Sequence, residues 1–324
     1  MIKKIIAAVS LFLGFIVTFA IGVGCIVRGA GDFSWDIVSE YVSMSDIVMI
    51  NDSPISNLFS FSDHSALVGS HAEGQIPAPT NTGTINIQDI PANVTITTSE
   101  DEFIHFTFDG DIRESSVVKS ADNLTGTNIP DIEFSYNEST DKATIQIKKL
   151  RTNSKATLKI TIAIPASFGG TLAFNDVAGK VEGNLPLTLT KAWANDVAGK
   201  IDIVGLSAVE LKISNTAGEV QFTNSQFPAV KISDSAGKVI VTGSIGYFDI
   251  SDIAGRVTLE SDIYLTKDCQ IDDVMGTVDI QLPTGSLVNI KKSDITGLVT
   301  DSSSKDAEHT ITVSDVMGKV SINS

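Results

Sequence analysis

The residues of this chain best able to do chemistry are a file of carboxylates set at a regular interval. Asp176, Asp196, Asn215, Asp234, Asp252, Asp273, Asp294 and Asp315 each stand three residues before a glycine. The glycines are Gly179, Gly199, Gly218, Gly237, Gly255, Gly276, Gly297 and Gly318, spaced 18 to 21 residues apart. They belong to eight copies of one motif: NDVAGKV (175–181), NDVAGKI (195–201), SNTAGEV (214–220), SDSAGKV (233–239), SDIAGRV (251–257), DDVMGTV (272–278), SDITGLV (293–299) and SDVMGKV (314–320). Stacked copies would place the carboxylates in one column. Such a column can bind Ca2+, which takes several oxygen ligands. Alternatively, each side chain accepts a backbone N–H and caps a turn, with no cofactor. Turn capping is the favoured reading. Asn215 replaces Asp in one copy, which suits hydrogen bonding better than charge. Basic residues recur just after the glycine (Lys180, Lys200, Lys238, Arg256, Lys319) and would offset carboxylate repulsion. The spacing also differs from the nonapeptide of Ca2+-binding rolls.

No other constellation suggests catalysis or a metal centre. The histidines His64, His71, His105 and His309 are scattered, and no G-x-S-x-G, H-E-x-x-H or phosphate-binding glycine loop occurs. His105 shares a strand face with Phe103 and Thr107, opposite the apolar face of Ile104, Phe106 and Phe108, so it reads as an exposed strand residue. Asp272-Asp273 and Glu100-Asp101-Glu102 read as solvated turns. Two cysteines far apart, Cys25 and Cys269, exclude a disulfide framework and a cysteine zinc site.

The elements that must position the column are strands. Two apolar residues precede each motif at alternate positions, as in Leu211/Ile213, Val230/Ile232, Phe248/Ile250 and Ile311/Val313. Val or Ile always stands two after the glycine, and a further apolar residue often follows, as in Ile203, Phe222, Val241, Leu259, Ile280 and Ile322. The unit is strand, corner, strand, loop. One unit cannot bury its apolar face alone, but stacked units about 4.8 Å apart can. The expected fold is an all-β, single-stranded β-solenoid, right-handed by the rule for parallel crossovers, with a rod section on the order of 40 Å long. Glycine is expected to permit a positive φ or a tight corner there. The preceding Ala178, Ala198, Ala217, Ala236 and Ala254 should point into a cramped interior, and Met275, Thr296 and Met317 should widen it. Ahead of the array, period-two alternation marks strands at 84–87, 93–97, 103–108, 132–136, 143–147 and 156–165.

Residues 5–27 form an uncharged apolar stretch preceded by Lys3 and Lys4. A helix there would reach roughly 35 Å and span a bilayer, with a cytoplasmic N-terminus and an extracytoplasmic body. Signal cleavage or lipidation near Cys25 are the rival readings, and both also place the body outside. The expected organisation is a transmembrane signal-anchor (1–28), a spacer or linker with a short helix around Trp35–Val48 (29–83), a strand-rich part (84–170) and the regular repeats (171–324). The net charge of −16 disfavours nucleic acid and polyanions. A protein or a neutral envelope component remains as partner. The final strand, ending just after Val320, should leave an open edge for a partner or a second copy.

The chain resembles the bacterial family of candidate adhesins with β-strand repeats, a domain of unknown function that includes LiaG-like membrane proteins. The resemblance rests on the N-terminal apolar segment, the Ile164-Pro165 step (ITIAIPASFGGTLAF) and the recurring D-x-A-G-K-V turns, and spans residues 84–324. It implies a cell-surface β-solenoid and supplies no catalytic residues. The reading that follows is a non-catalytic adhesin or envelope-interaction module. One alternative is a regulatory partner of a membrane sensor in envelope stress. The remote alternative is a carbohydrate-active β-helix enzyme, which would need basic residues that this acidic chain does not cluster.

Overall fold

The computed structural model describes residues 66–118, 123–150, 158–301, 304 and 306–324. The chain divides into two units, Met1–His64 and Ser65–Ser324, and every described residue lies in the second. The apolar segment, the expected helix around Trp35–Val48, Cys25 and His64 lie outside the described residues. Among the described residues no helix is long and apolar enough to cross a membrane.

The described unit is all-β with one 3-10 turn, Glu114–Ser116. Its first strands are β1 (Leu67–Pro77), β2 (Thr84–Ile90), β3 (Asn93–Ser99), β4 (Phe103–Arg113), β5 (Thr125–Thr127), β6 (Asp131–Asn137), β7 (Lys142–Lys149) and β8 (Lys159–Pro165). The array follows as β9 (Thr171–Val177), β10 (Lys180–Asn184), β11 (Thr188–Val197), β12 (Lys200–Val204), β13 (Ser207–Thr216), β14 (Glu219–Phe227), β15 (Ala229–Ile232) and β16 (Lys238–Ile245). It ends with β17 (Phe248–Ile250), β18 (Arg256–Ser261), β19 (Cys269–Ile271), β20 (Thr277–Gln281), β21 (Val288–Lys292), β22 (Leu298–Thr300), β23 (His309–Val313) and β24 (Lys319–Asn323).

Two parallel ladders run along the stack, one on each side of the repeated corner. The strand entering the corner builds ladder A, in the order β7, β2, β9, β11, β13, β15, β17, β19, β23, β21. The strand leaving it builds ladder B, in the order β8, β3, β10, β12, β14, β16, β18, β20, β24, β22. Each apolar residue stacks on its copy in the next turn. Val181, Ile201, Val220, Val239, Val257, Val278 and Val320 are all fully buried, as are Leu211, Ile213, Val230, Ile232, Phe248 and Ile250. Aromatics fill the wider parts of the core, where Phe222 and Phe227 meet edge to face at 5.6 Å.

Chain order and stack order differ at both ends. At the first end, β2 and β3 lie between the later strands β7/β8 and β9/β10. Antiparallel strands then close that end. β4 pairs with β8, β1 with β4, β5 with β1, and β6 with β7. Residues 70–83 therefore do not form the expected linker throughout, because β1 pairs with β4 from Leu67↔Arg113 to Pro77↔Phe103. Its inward side is Val68, Ser70, Ala72, Gly74 and Ile76, mostly small residues that hide the alternation from a hydropathy reading. The other expected strands of the first half are present as β2, β3, β4, β6, β7 and β8.

At the second end, the last strands of the chain are not the last of the stack. β23 and β24 insert between β19/β20 and β21/β22. The expected open edge after Val320 is thus paired, and the outer turn is β21/β22. Composition explains the order. β24 carries buried Val320, Ser321 and Ile322, and needs a neighbour on both sides. The outer copy has Lys292 where its register partner is Val313, and Asp301 at the position of Ile322.

Candidate functional site: the repeated corner

The corner is built by backbone geometry, and the Asp column works differently from the expectation. Asp176, Asp196, Asn215, Asp234, Asp252, Asp273, Asp294 and Asp315 all have left-handed φ, between 50° and 55°. The corner glycines do not have positive φ. Asp and Asn tolerate this conformation best among residues with a Cβ, which also explains why Asn215 serves as well as Asp. The side chains do not cap the turn. Among the described residues no column carboxylate accepts a backbone N–H. Instead, their backbone carbonyls serve the ladder: Thr216 N–H donates to Asp234 C=O at 3.2 Å, and Ser235 N–H to Asp252 C=O at 3.1 Å.

Glycine is required for close approach. A Cβ on Gly237 would lie 2.0 Å from the carbonyl oxygen of Gly218. That approach lets the carbonyl of Thr216 accept two N–H groups from the next turn, Ala236 at 2.8 Å and Gly237 at 2.9 Å. The residue before glycine points outward, against the expectation of a cramped interior. Ala178, Ala198, Ala217, Ala236 and Ala254 are exposed. Met275 and Met317, at 50% and 63% exposure, sit on the surface and widen nothing.

One copy escaped the sequence reading. Asp89 also has left-handed φ, at 50°. β2 and β3 pair with β9 and β10 so that Ile90 meets Val177 and Val94 meets Val181. Pro91 and Ala92 stand where the other copies have Ala and Gly, which masks the motif. The readable signal was an Asp five residues before Val, preceded by Ile85 and Ile87.

A sequence profile of the Toastrack DUF4097 family matches residues 83–323. The chain belongs to this Toastrack family. Three solved structures are similar to the Toastrack chain at low identity. A candidate cell adhesion protein from Clostridium sporogenes shares 13% identity over 78% of this chain and 98% of its own, with a TM-score of 0.29. A candidate adhesin from Parabacteroides distasonis shares 11% over 80% and 98%, at 0.44. One from Bacteroides fragilis shares 13% over 79% and 97%, at 0.41. No protein of curated function matches the chain.

The basic file after the glycines does not neutralise the Asp column of the Toastrack corner. It pairs along ladder B: Lys180 with Glu182, Lys200 with Asp202 at 3.3 Å, and Lys238 with Glu219 at 3.3 Å. Carboxylate repulsion is felt at two members of the column. Burial pushes the Asp176 carboxyl above its usual range, with Asp89 and Asp196 adding repulsion. Asp272 does the same to Asp273, with lesser contributions from burial and from Asp252 and Asp315. Among the described residues, no three His, Cys, Asp or Glu side chains converge to hold a metal ion.

Outside the corner, ladder A presents a polar face. Asn175 pairs with Asn195 and Asn195 with Ser214, and Ser233 and Ser251 continue the row. Beside it Trp193 lies under the ammonium groups of Lys191 and Lys212, at 5.4 and 5.5 Å. Glu210 joins Lys191 at 3.1 Å and Lys231 at 2.9 Å. A shallow groove of about 180 Å³ runs between Lys212, Lys231, Ile232, Ser233, Asp249 and Ser251. His105 lies where expected, on the outer side of β4, and bonds Asp101 at 2.8 Å. His71 bonds Asp109 at 2.6 Å, and this holds the imidazole above its usual range. Cys269 is buried, and burial pushes its thiol up to about 12.

Proposed function

We propose that the chain is a non-catalytic surface module. In this reading the apolar segment 5–27 anchors it in the cell membrane, and the β domain stands outside the cytoplasm. It acts by contact with a protein or a neutral envelope component. The observation that carries this reading is the polar row of ladder A, with the partly exposed Asn175, Asn195, Ser233 and Ser251 in register along the stack and buried Ser214 donating to Asn195 between them. A row of amides and hydroxyls at the strand spacing suits many weak, repeated contacts with an extended polymer, each worth little alone. The charged residues of ladder B are largely consumed by their own pairs.

The test is adhesion of cells displaying the full chain to isolated envelope material. Asn195→Asp with Ser233→Asp should abolish adhesion while the strand content, read by circular dichroism, stays that of the wild type. Replacing residues 1–65 by an unrelated single-span anchor should leave adhesion intact. Adhesion that survives the row substitutions, or that is lost with the anchor swap, would shift the function to the N-terminal segment and to the regulatory reading. Because β1 begins at Leu67, the exchange must stop short of it.

A further inference from the structure

The repeated corner changes character over its last turns. Bridges join Ser235 to Ile253, Ile253 to Val274, Val274 to Val316 and Val316 to Ile295. The residue before glycine therefore runs along the stack as Ala236, Ala254, Met275, Met317 and Thr296. Two large thioethers stand side by side, about one strand spacing apart, where the earlier corners carry alanine. Leu298 extends the patch from the outer turn, at a position held by Lys319, Thr277 and Arg256 in the turns further in. All three apolar side chains are at least half exposed. Nothing in the corner itself asks for them, because Ala178, Ala198, Ala217, Ala236 and Ala254 serve the same backbone. An exposed apolar patch in place of small residues marks a contact surface, and methionine adapts its shape to a partner better than a branched residue does.

The flanks of the patch point to its partner. Asp252, Asp273, Asp315 and Asp294 form an exposed acidic file on one side of the methionines, and Arg256 and Lys319 stand exposed on the other. Lys319 has a distant carboxylate, Asp279 at 4.0 Å. Among the described residues the acidic file makes no ion pair. Asp272 holds the Asp273 carboxyl above its usual range, with burial, Asp252 and Asp315 adding to the effect. A ridge with one acidic and one basic flank is complementary to itself. Rotating a second copy by half a turn about an axis parallel to the stack keeps the two stacks parallel. Each methionine then meets its own copy, and the acidic flank of each chain lies on the basic flank of the other. A half-turn about an axis across the ridge would lay acid on acid. We infer that Met275 and Met317 are the centre of a self-contact in which two copies of the chain lie side by side with their stacks parallel. Asp252 then faces Arg256 of the second copy, Asp315 faces its Lys319, and Asp273 lies between these two cations. The two-fold axis repeats each pair. The apolar centre is small beside the roughly 800 Å² per partner of a standard interface, so the contact is weak and suits copies held at high local concentration.

The self-contact stands whether or not the module adheres to envelope material, because its test reads contact between copies alone. The full-length chain carrying Cys25→Ser would be treated in detergent with a short bifunctional maleimide; buried Cys269 stays unreactive. Ala254→Cys and Thr296→Cys, which flank the methionines on the ridge, should each link to their own copy. Val209→Cys, exposed away from the corner, should not. Adding Met275→Ala/Met317→Ala restores the residue of the earlier corners, so the fold is kept, and should lower linking at Ala254→Cys at least tenfold. Arg256→Glu/Lys319→Glu should lower it as well. Linking that survives the alanine pair overturns the inference, and so does linking unmoved by the charge reversal. Linking that appears only when Ala254→Cys and Thr296→Cys are mixed is the mark of antiparallel copies and overturns it too. The same holds if Val209→Cys links as readily as the ridge, or if neither ridge position links.

Discussion

The turn at Ser233–Val239 and the turn at Ser293–Val299 carry nearly the same motif, SDSAGKV against SDITGLV, and share the same corner backbone. Asp234 and Asp294 have φ of 51° and 52°. Yet Val239 is fully buried and Val299 is half-exposed, while Lys238 gives way to Leu298, which is 54% exposed. The corner is thus a local property of the motif. Burial belongs to the stack, because it needs a neighbour on each side. The interior turn has two neighbours and the outer turn has one.

Matched substitutions in the two turns would break or sharpen this comparison. The largest effect is expected from Gly237→Ala, whose added Cβ meets a backbone oxygen that cannot yield without opening the ladder. A loss of about 3 kcal/mol or more, read by urea unfolding, is expected. Gly297→Ala makes an equally close contact, 2.1 Å from Gly318 O, but it should loosen only the outer turn. Limited proteolysis would show this as cleavage confined to residues 282–308, with the urea midpoint nearly unchanged. Equal midpoint losses in the two variants would mean that the array melts as one unit and that the comparison fails.

Next in size is the Asp column. Asp234→Ala forces an alanine into left-handed φ and should cost about 1 kcal/mol, while Asp234→Asn should be close to neutral, as Asn215 already is. An equal loss for Asn and Ala would restore the side-chain carboxylate as the working group.

The smallest effect concerns pH. The folded carboxyl of Asp176 is held above its unfolded range, so the folded state binds that proton more tightly, and stability at this site falls as pH rises through the folded value. Asp176→Asn should therefore raise the melting temperature at neutral pH, with the gain vanishing in acid where both states are protonated. A gain that persists in acid would point to packing rather than charge.

Much of this was legible in the residues. The eight motif copies, the alternate apolar positions and the strands of the first half all appear in the fold, because period-two burial is written directly into residue type. His105 was placed correctly for the same reason. Three features were harder to read. β1 hides its inward face in Ser70, Ala72 and Gly74. The copy at Asp89 lacks the glycine that flags the others. The role of Asp in the corner was hidden, since both Asp and Gly are common at turns and only the backbone angles distinguish a residue chosen for φ from one chosen for the absence of Cβ.

By itself the sequence determined the unit: a strand, a corner and a strand, repeated, with the apolar side of each strand decided by alternation. It also held the mark of the last turn, Lys292 and Asp301 in positions that are apolar elsewhere. Only the tertiary structure decided the order of the units. Copies of one motif offer nearly equivalent partners to each other, so local pattern cannot say which stacks on which. The whole stack can, because burying Val320 and Ile322 inside and leaving the charged copy outside removes the most apolar surface from water.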